Sequence, residues 1–219
     1  MRKKIIYISL VLSISIALLY FIFKNTNNFN ELYDSNVYIE TINDDGINIG
    51  SGFVYKIKGN KAYIVTCYHI LNDTDEIYVY NIKNNNEKAQ LLYYDDKSDI
   101  AVLSIDNTLN LKESKIGNSN KLHIGDNIYA LGTPLNDAYS YSLTSGIISY
   151  LNRSIVVNNN KYNAIQIDAP ISGGNSGGVL LNKKGKVIGM IFVTENGSNG
   201  ISFAIPINSI INEIKGLKI

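Results

Sequence analysis

Short runs of β-branched and aromatic residues, separated by polar turns and with nothing helical between them, constrain this chain most. They are Val37–Ile42, Gly52–Ile57, Ala62–Thr66, Ile77–Tyr80, Ile100–Ile105, Asn127–Leu131, Gly146–Tyr150, Ser154–Val157, Ala164–Ile167, Val187–Val193 and Ile201–Ile205. Turn chemistry falls between them at Asn84-Asn85-Asn86, Asn158-Asn159-Asn160 and Lys183-Lys184-Gly185. A succession of short strands without crossover helices implies an all-β barrel or sandwich. The last segment differs. Ile210, Ile211, Ile214 and Leu217 fall on one helical face, so a short C-terminal helix is expected over about 208–217, capped by Asn208 or Ser209. The polar stretch Asn107–Lys121 is the best linker between two β units.

The N-terminus is set apart. After Arg2, Lys3 and Lys4, residues 5–23 carry no charge. At 1.5 Å per residue, about 19 residues cover the roughly 30 Å hydrocarbon core of a bilayer. The stretch ends on bulky Tyr20, Phe21, Ile22 and Phe23 rather than the small residues of a cleavage site, which favours an uncleaved signal anchor over residues 1–23. Positive charge precedes it, so the N-terminus stays in the cytoplasm and the remainder lies outside, at the cell membrane. Residues 24–35 are polar and aperiodic and read as a tether to a domain over 36–219.

Composition excludes several classes. The net charge of +1 leaves no electrostatic surplus for nucleic-acid binding. One cysteine and two histidines exclude a disulfide framework and a multi-cysteine or His-rich metal centre, so no metal or cofactor is expected.

The most specific local signal is Gly173-Gly174-Asn175-Ser176-Gly177-Gly178. Flanking glycines let the backbone turn sharply around a hydroxyl and let N–H groups converge on one point. A Gly-rich hairpin turn is the bland alternative. The lysine of a phosphate-binding loop is missing, and no helix follows as it would after a nucleophile elbow. A serine hydroxyl needs a base. His123 lies in a polar turn and reads as a surface residue, whereas His69 closes the strand-like run from Ala62. Asp99 heads the apolar run from Ile100, where a carboxylate becomes partly buried and needs a partner; an imidazole N–H supplies one. Asp95 and Asp96 read as solvated. The chain order His69, Asp99, Ser176 differs from that of subtilisins and of α/β-hydrolases and fits the chymotrypsin-like order.

Several stretches together carry a resemblance. They are Gly50-Ser51-Gly52-Phe53, Thr66–Ile70, Ser98–Leu103, Ala130–Pro134, Thr144–Ser149, Asp168–Gly178 and Gly200–Pro206. In this order the sequence resembles the trypsin-like serine proteases of the HtrA (Deg) type over about residues 37–210. The resemblance implies two six-stranded antiparallel β-barrels, one over about 36–115 and one over about 122–206, with the site between them. It implies Ser176 as nucleophile, His69 as general base then acid, and Asp99 as the orienting carboxylate. Gly174 and Ser176, with Asn175 between them, would form the oxyanion hole. Pro170, Ile171, Ser172 and Gly173 would floor the substrate pocket, and Ile201, Ser202, Phe203 and Ala204 would line its wall. No acidic side chain lies there, so cleavage after small or medium apolar residues is expected; Asp168 reads as structural.

Two departures from the family pattern matter. Cys67 stands where family members often have Asn, and it reads as a small buried residue rather than a nucleophile. The chain after Pro206 is too short for the PDZ domain many HtrA proteins carry. Asn175 cannot make the charge pair used in activation by trimming, so no zymogen switch is expected. The resemblance implies protein or peptide substrates and leaves a homotrimer open. The competing readings are a protease-fold binding or chaperone module with weak hydrolysis, and an esterase.

Overall fold

The structure is a computed structural model that describes residue 15 and residues 30–44, 46–194 and 200–219. The expected membrane span, apart from Ser15, and residues 24–29 of the expected tether lie outside the described residues. Among the described residues no helix is long and apolar enough to cross a membrane.

Two β units follow one another. The first comprises β1 (Asn36–Asn43), β2 (Gly46–Lys58), β3 (Lys61–Thr66), β4 (Glu76–Tyr80), β5 (Asn86–Lys88), β6 (Gln90–Asp95) and β7 (Ile100–Asp106). They form one antiparallel sheet in the order β5-β4-β1-β2-β3-β7-β6. The second comprises β8 (Asn127–Gly132), β9 (Ser142–Val157), β10 (Asn160–Ile167), β11 (Val179–Asn182), β12 (Val187–Thr194) and β13 (Ser202–Pro206). These six close into a barrel in the order β10-β13-β12-β11-β8-β9. The all-β, chymotrypsin-like expectation holds. The strand count of the first unit is seven rather than six, because the three-residue β5 adds to β4.

Local chemistry explains the elements. β7 is a continuous apolar run because both of its faces are covered: Ile100 through Ile105 are all buried. The expected strands at 146–150 and 154–157 are one strand, β9. Asn152, at φ +54°, sits where β9 carries an extra residue against β10, so a bulge replaces a turn. The β9–β10 hairpin turns on Asn158 and Asn159, both at positive φ, as a tight two-residue turn requires.

The ends of the domain depart from expectation. Helix α1 (Asn30–Tyr33) falls within the expected tether, yet Leu32 and Tyr33 pack on the core and Ser35 is buried. Lys115–Glu31 at 3.0 Å and Lys112–Asp34 at 2.7 Å fasten this segment to the connector between the β units. Helix α2 (Ile207–Ile214) buries Ile207, Ile210 and Ile214. Neither Asn208 nor Ser209 caps it. Pro206 holds the cap position, and the Asn208 side chain instead accepts the N–H of Ser119 and donates to Asn118 Oδ1.

The larger core cluster runs from Phe53, Ile64 and Leu103 in the first unit into Leu131, Val179 and Phe192 in the second. A smaller one, including Ile128, Ile148, Ile165 and Leu180, fills the closed barrel. The shared cluster fixes the seam on which the candidate site lies.

Candidate active site

Strand register brings the first two residues together. Thr66, the last residue of β3, pairs with Ala101 near the start of β7. The chain leaving β3 and the chain entering β7 are therefore neighbours, and His69 and Asp99 stand on those two ends. His69 sits in a one-turn 3-10 helix, Tyr68–Leu71, and Asp99 adopts φ +54°, a left-handed conformation that Asp tolerates better than most residues.

Asp99 is 5% exposed, so its carboxylate must be partnered. Its Oδ2 accepts from Nδ1–H of the His69 ring at 2.7 Å, and its Oδ1 accepts from the backbone N–H of His69 at 2.8 Å. Both oxygens thus grip one residue. The carboxylate fixes the proton on Nδ1 and leaves Nε2 as the ring nitrogen with a free lone pair.

Ser176 is placed by a loop whose shape depends on three neighbours. Gly174 and Gly177 have φ of +89° and +84°. A Cβ on Gly177 would lie 2.0 Å from the carbonyl oxygen of Ser51 and 2.3 Å from Thr66 Oγ1, so glycine is obligatory there. Ser51 Oγ donates to the Gly174 carbonyl and accepts the N–H of Thr133, both at 2.9 Å. The Ser51 N–H donates to the Ser176 carbonyl at 2.8 Å, and Gly177 N–H to the Ile191 carbonyl at 2.8 Å. Among the described residues, the N–H groups of Gly174 and Ser176 make no hydrogen bond. Two donors one residue apart are therefore available to an external oxygen. Asn175, between them, is buried and packs against Gly132.

The Ser176 hydroxyl donates to the Phe192 carbonyl at 3.2 Å, and among the described residues no hydrogen bond joins it to His69. Phe192 and His69 nevertheless line one cavity of about 230 Å³, with Asp96, Asp99, Asn158, Tyr162 and others. The structure therefore gathers His69 and Asp99 directly, and connects Ser176 to a residue of that cavity, Phe192, without placing Ser176 in its lining. Catalytic hydrogen bonds are often unmade before substrate binds.

The expected pocket residues divide. A cavity of about 260 Å³ is lined by Pro170, Ser172 and Asn175, facing Pro134, Leu135, Tyr139 and others, with no acidic or basic side chain. Gly173 is exposed, and its carbonyl accepts from Leu135 N–H. Ile171 packs against the closed barrel's core cluster, to which Ala204 belongs. Ser202, Phe203 and Ala204 are buried in β13 and Ile201 is partly exposed; none of the four lines this cavity. Asp168 Oδ1 accepts the backbone N–H of Ile147 at 2.6 Å, in keeping with a structural reading. His123 is in an exposed turn, its ring 3.8 Å from Asp126.

Cys67 is fully buried, and its Sγ donates to the Ile191 carbonyl at 3.5 Å. Burial, and then the charge of Asp99, push its thiol well above the usual range. Cys67, His69 and Asp99 offer three donor atoms within 4.8 Å of one another. The His69 and Asp99 donors are bonded to each other, however, and the thiol is held protonated, which suits proton transfer rather than metal ligation.

Sequence reasoning missed three contributors: Ser51 as a bridge, Thr66 Oγ1 as the donor to the Ser51 carbonyl at 2.7 Å, and the Phe192 carbonyl. All three lay in stretches singled out from sequence, Ser51 and Thr66 in the resemblance and Phe192 in an expected strand, but none of these roles was expected.

Comparison with known proteins identifies the family of the chain. Residues 50–190 match the trypsin-like peptidase domain family. The chain is 35% identical over 210 residues to "Serine protease Do-like HtrA" of Lactococcus lactis subsp. cremoris (strain MG1363), covering 89% of this chain and 51% of that protein. It is 37% identical over 180 residues to "Serine protease HtrA-like" of Staphylococcus aureus (strain USA300), covering 78% of this chain and 23% of that protein. Similar solved structures include "HtrA-type protease AlgW with tripeptide", with a TM-score of 0.77 and 30% identity over 88% of this chain and 64% of that one. Another is the serine endoprotease from Yersinia pestis, with a TM-score of 0.73 and 32% identity over 87% of this chain and 65% of that one. The chain thus spans about half the length of the lactococcal relative and under a quarter of the staphylococcal one.

Proposed function

We infer the activity from one premise: the chain belongs to the trypsin-like peptidase family, with HtrA-type serine proteases as its relatives. It is a serine endopeptidase that hydrolyses peptide bonds through an acyl-enzyme. The observation that carries this reading is the double grip of Asp99 on His69, beside a cavity shared with the acceptor of the Ser176 hydroxyl.

The steps follow from the residues. A bound peptide places its carbonyl carbon over Ser176 and its carbonyl oxygen toward the N–H groups of Gly174 and Ser176. The hydroxyl turns from the Phe192 carbonyl to His69 Nε2. Nε2 takes the proton as Oγ forms a bond to the carbon, and the C=O electron pair moves onto oxygen, where the two N–H donors hold it. Asp99 stabilises the imidazolium without accepting its proton. The oxyanion collapses, the C–N bond breaks, and His69 gives its proton to the leaving amine. Water then repeats the sequence and frees the acid.

Substrates are proteins or peptides with a small or medium apolar residue before the scissile bond. The uncharged cavity beside Asn175 supports this preference. The enzyme is held at the cell membrane by residues 5–23 with its domain outside the cytoplasm; the uncharged run and its flanking lysines support that placement. A fluorophosphonate probe tests the reading. Folded protein should be labelled at Ser176 and lose labelling in Ser176→Ala. Folded protein that takes no label at neutral pH would establish a binding or chaperone module instead.

A further inference from the structure

A separate cavity shares no lining residue with the candidate active site. It measures about 580 Å³ and lies between the connector and the β11–β12 hairpin. Its lining includes Lys121, Lys183, Lys184 and Lys186, against a single carboxylate, Asp126. The four lysines are exposed, and beside them Ile124 stands 61% exposed. A basic rim with one protruding apolar side chain is a pattern suited to an interface of phosphate groups over hydrocarbon.

Its position in the chain gives the hollow a partner. Helix α1 is the first described segment of the domain, and it lies against this same hairpin: a Cβ on Gly185 would touch Leu32 Cδ2 at 3.4 Å. Glu31 and Asp34 are engaged by Lys115 and Lys112, so they do not offset the charge of the rim. Between Phe23, where the uncharged run ends, and α1 stand residues 24–29. Such a length of chain reaches at most roughly 20 Å, at about 3.3–3.6 Å per residue. If residues 5–23 cross a bilayer, this face is the one held against it. Attachment also makes headgroup binding intramolecular, so weak individual contacts suffice.

We propose that the hollow ringed by Lys121, Lys183, Lys184 and Lys186 docks the phosphodiester headgroups of anionic lipids in the bilayer that holds residues 5–23. This rests on the anchored reading given above. Docking there fixes the domain's orientation on the membrane and leaves the His69–Asp99 cavity, which shares no lining residue with the hollow, open to substrate.

The test uses the full chain in lipid nanodiscs made of phosphatidylcholine alone or mixed with phosphatidylglycerol. Cys67 is buried, so Asn120→Cys, an exposed position in the connector, accepts a fluorescent label selectively. A nitroxide on the lipid headgroups reports proximity by quenching. Quenching should be strong with phosphatidylglycerol, weak without it, and relieved by high salt. Each of Lys183→Glu, Lys184→Glu and Lys186→Glu should reduce the docked-to-undocked ratio at least about fivefold. The milder Lys→Gln replacements should act in the same direction, and fluorophosphonate labelling of Ser176 should be unchanged. Equal quenching in both compositions, or none with phosphatidylglycerol while the chain stays with the discs, overturns the docking site alone. A chain that separates from the discs overturns the anchored reading and the docking site together.

Discussion

The backbone N–H of Ser51, in β2 of the first sheet, donates to the carbonyl of Ser176 in the second unit at 2.8 Å, while its own hydroxyl ties Gly174 to Thr133. Ser51 is 1% exposed. Ser51→Ala leaves the Gly174 carbonyl and the Thr133 N–H without their partner. Each orphaned buried group costs about 1–3 kcal/mol, so urea denaturation should show a loss in that range or above. Peptide hydrolysis should fall further than the lost stability explains, because Gly174 is one of the two candidate oxyanion donors.

Gly177 faces a harder constraint. Its φ of +84° and the 2.0 Å approach of the Ser51 carbonyl leave no room for a methyl group. Gly177→Ala should destabilise the domain by more than about 2 kcal/mol, read as a lower thermal midpoint, and abolish probe labelling.

Asp99→Asn tests the orienting carboxylate. Asp99 now accepts two N–H groups of His69, and an amide can accept only one of them without turning its NH₂ toward the other. The ring then takes the wrong tautomer, and kcat should drop by ~10⁴ with circular dichroism unchanged. A loss under tenfold would remove Asp99 from its assigned role.

Cys67 should be inert. In the native protein a thiol reagent should react only after unfolding. The folded thiol is pushed well above its ordinary value by burial, so above about pH 8.5 the unfolded chain ionises first. The stability linked to this group is complete below that pH and is lost as pH rises toward the folded value. Chemical denaturation should show Cys67→Ser with a shallower alkaline loss than wild type.

Substrate choice should follow the uncharged cavity formed by Pro134, Leu135, Tyr139 and Pro170. In a peptide library read by mass spectrometry, cleavage after Val, Ala or Ile should dominate. Strict cleavage after Arg or Lys would contradict the proposed pocket. Leu135→Asp, at the exposed rim, should lower kcat/KM for apolar peptides while leaving probe labelling intact.

The site was legible where chemistry is local. A glycine-framed serine, a histidine at a strand end and a carboxylate at a strand start each carry their own signature, and their order selects a topology. What sequence could not reveal depends on distance. Ser51 acts on Gly174 and Thr133 through pairings that exist only when the two units meet. The Phe192 carbonyl is a backbone atom with no side-chain signature at all.

The strands that escaped notice have equally concrete reasons. In β6, Leu91, Leu92 and Tyr94 are all at least 40% exposed, so an edge strand shows no alternation between apolar and polar residues. β11 follows directly on the glycine loop, which hides its start. Residues 30–35 looked like tether because their composition is polar, although Leu32, Tyr33 and Ser35 are engaged by the domain.

The Ile191 carbonyl receives both the Gly177 N–H from the serine loop and the Cys67 thiol from the end of β3. The two sides of the candidate reaction centre thus share a strand, β12, that follows both of them in the chain. Until β12 is in place, the serine loop and the end of β3 lack this common acceptor. Assembly of the candidate centre therefore waits for β12, which ties its formation to completion of the second barrel.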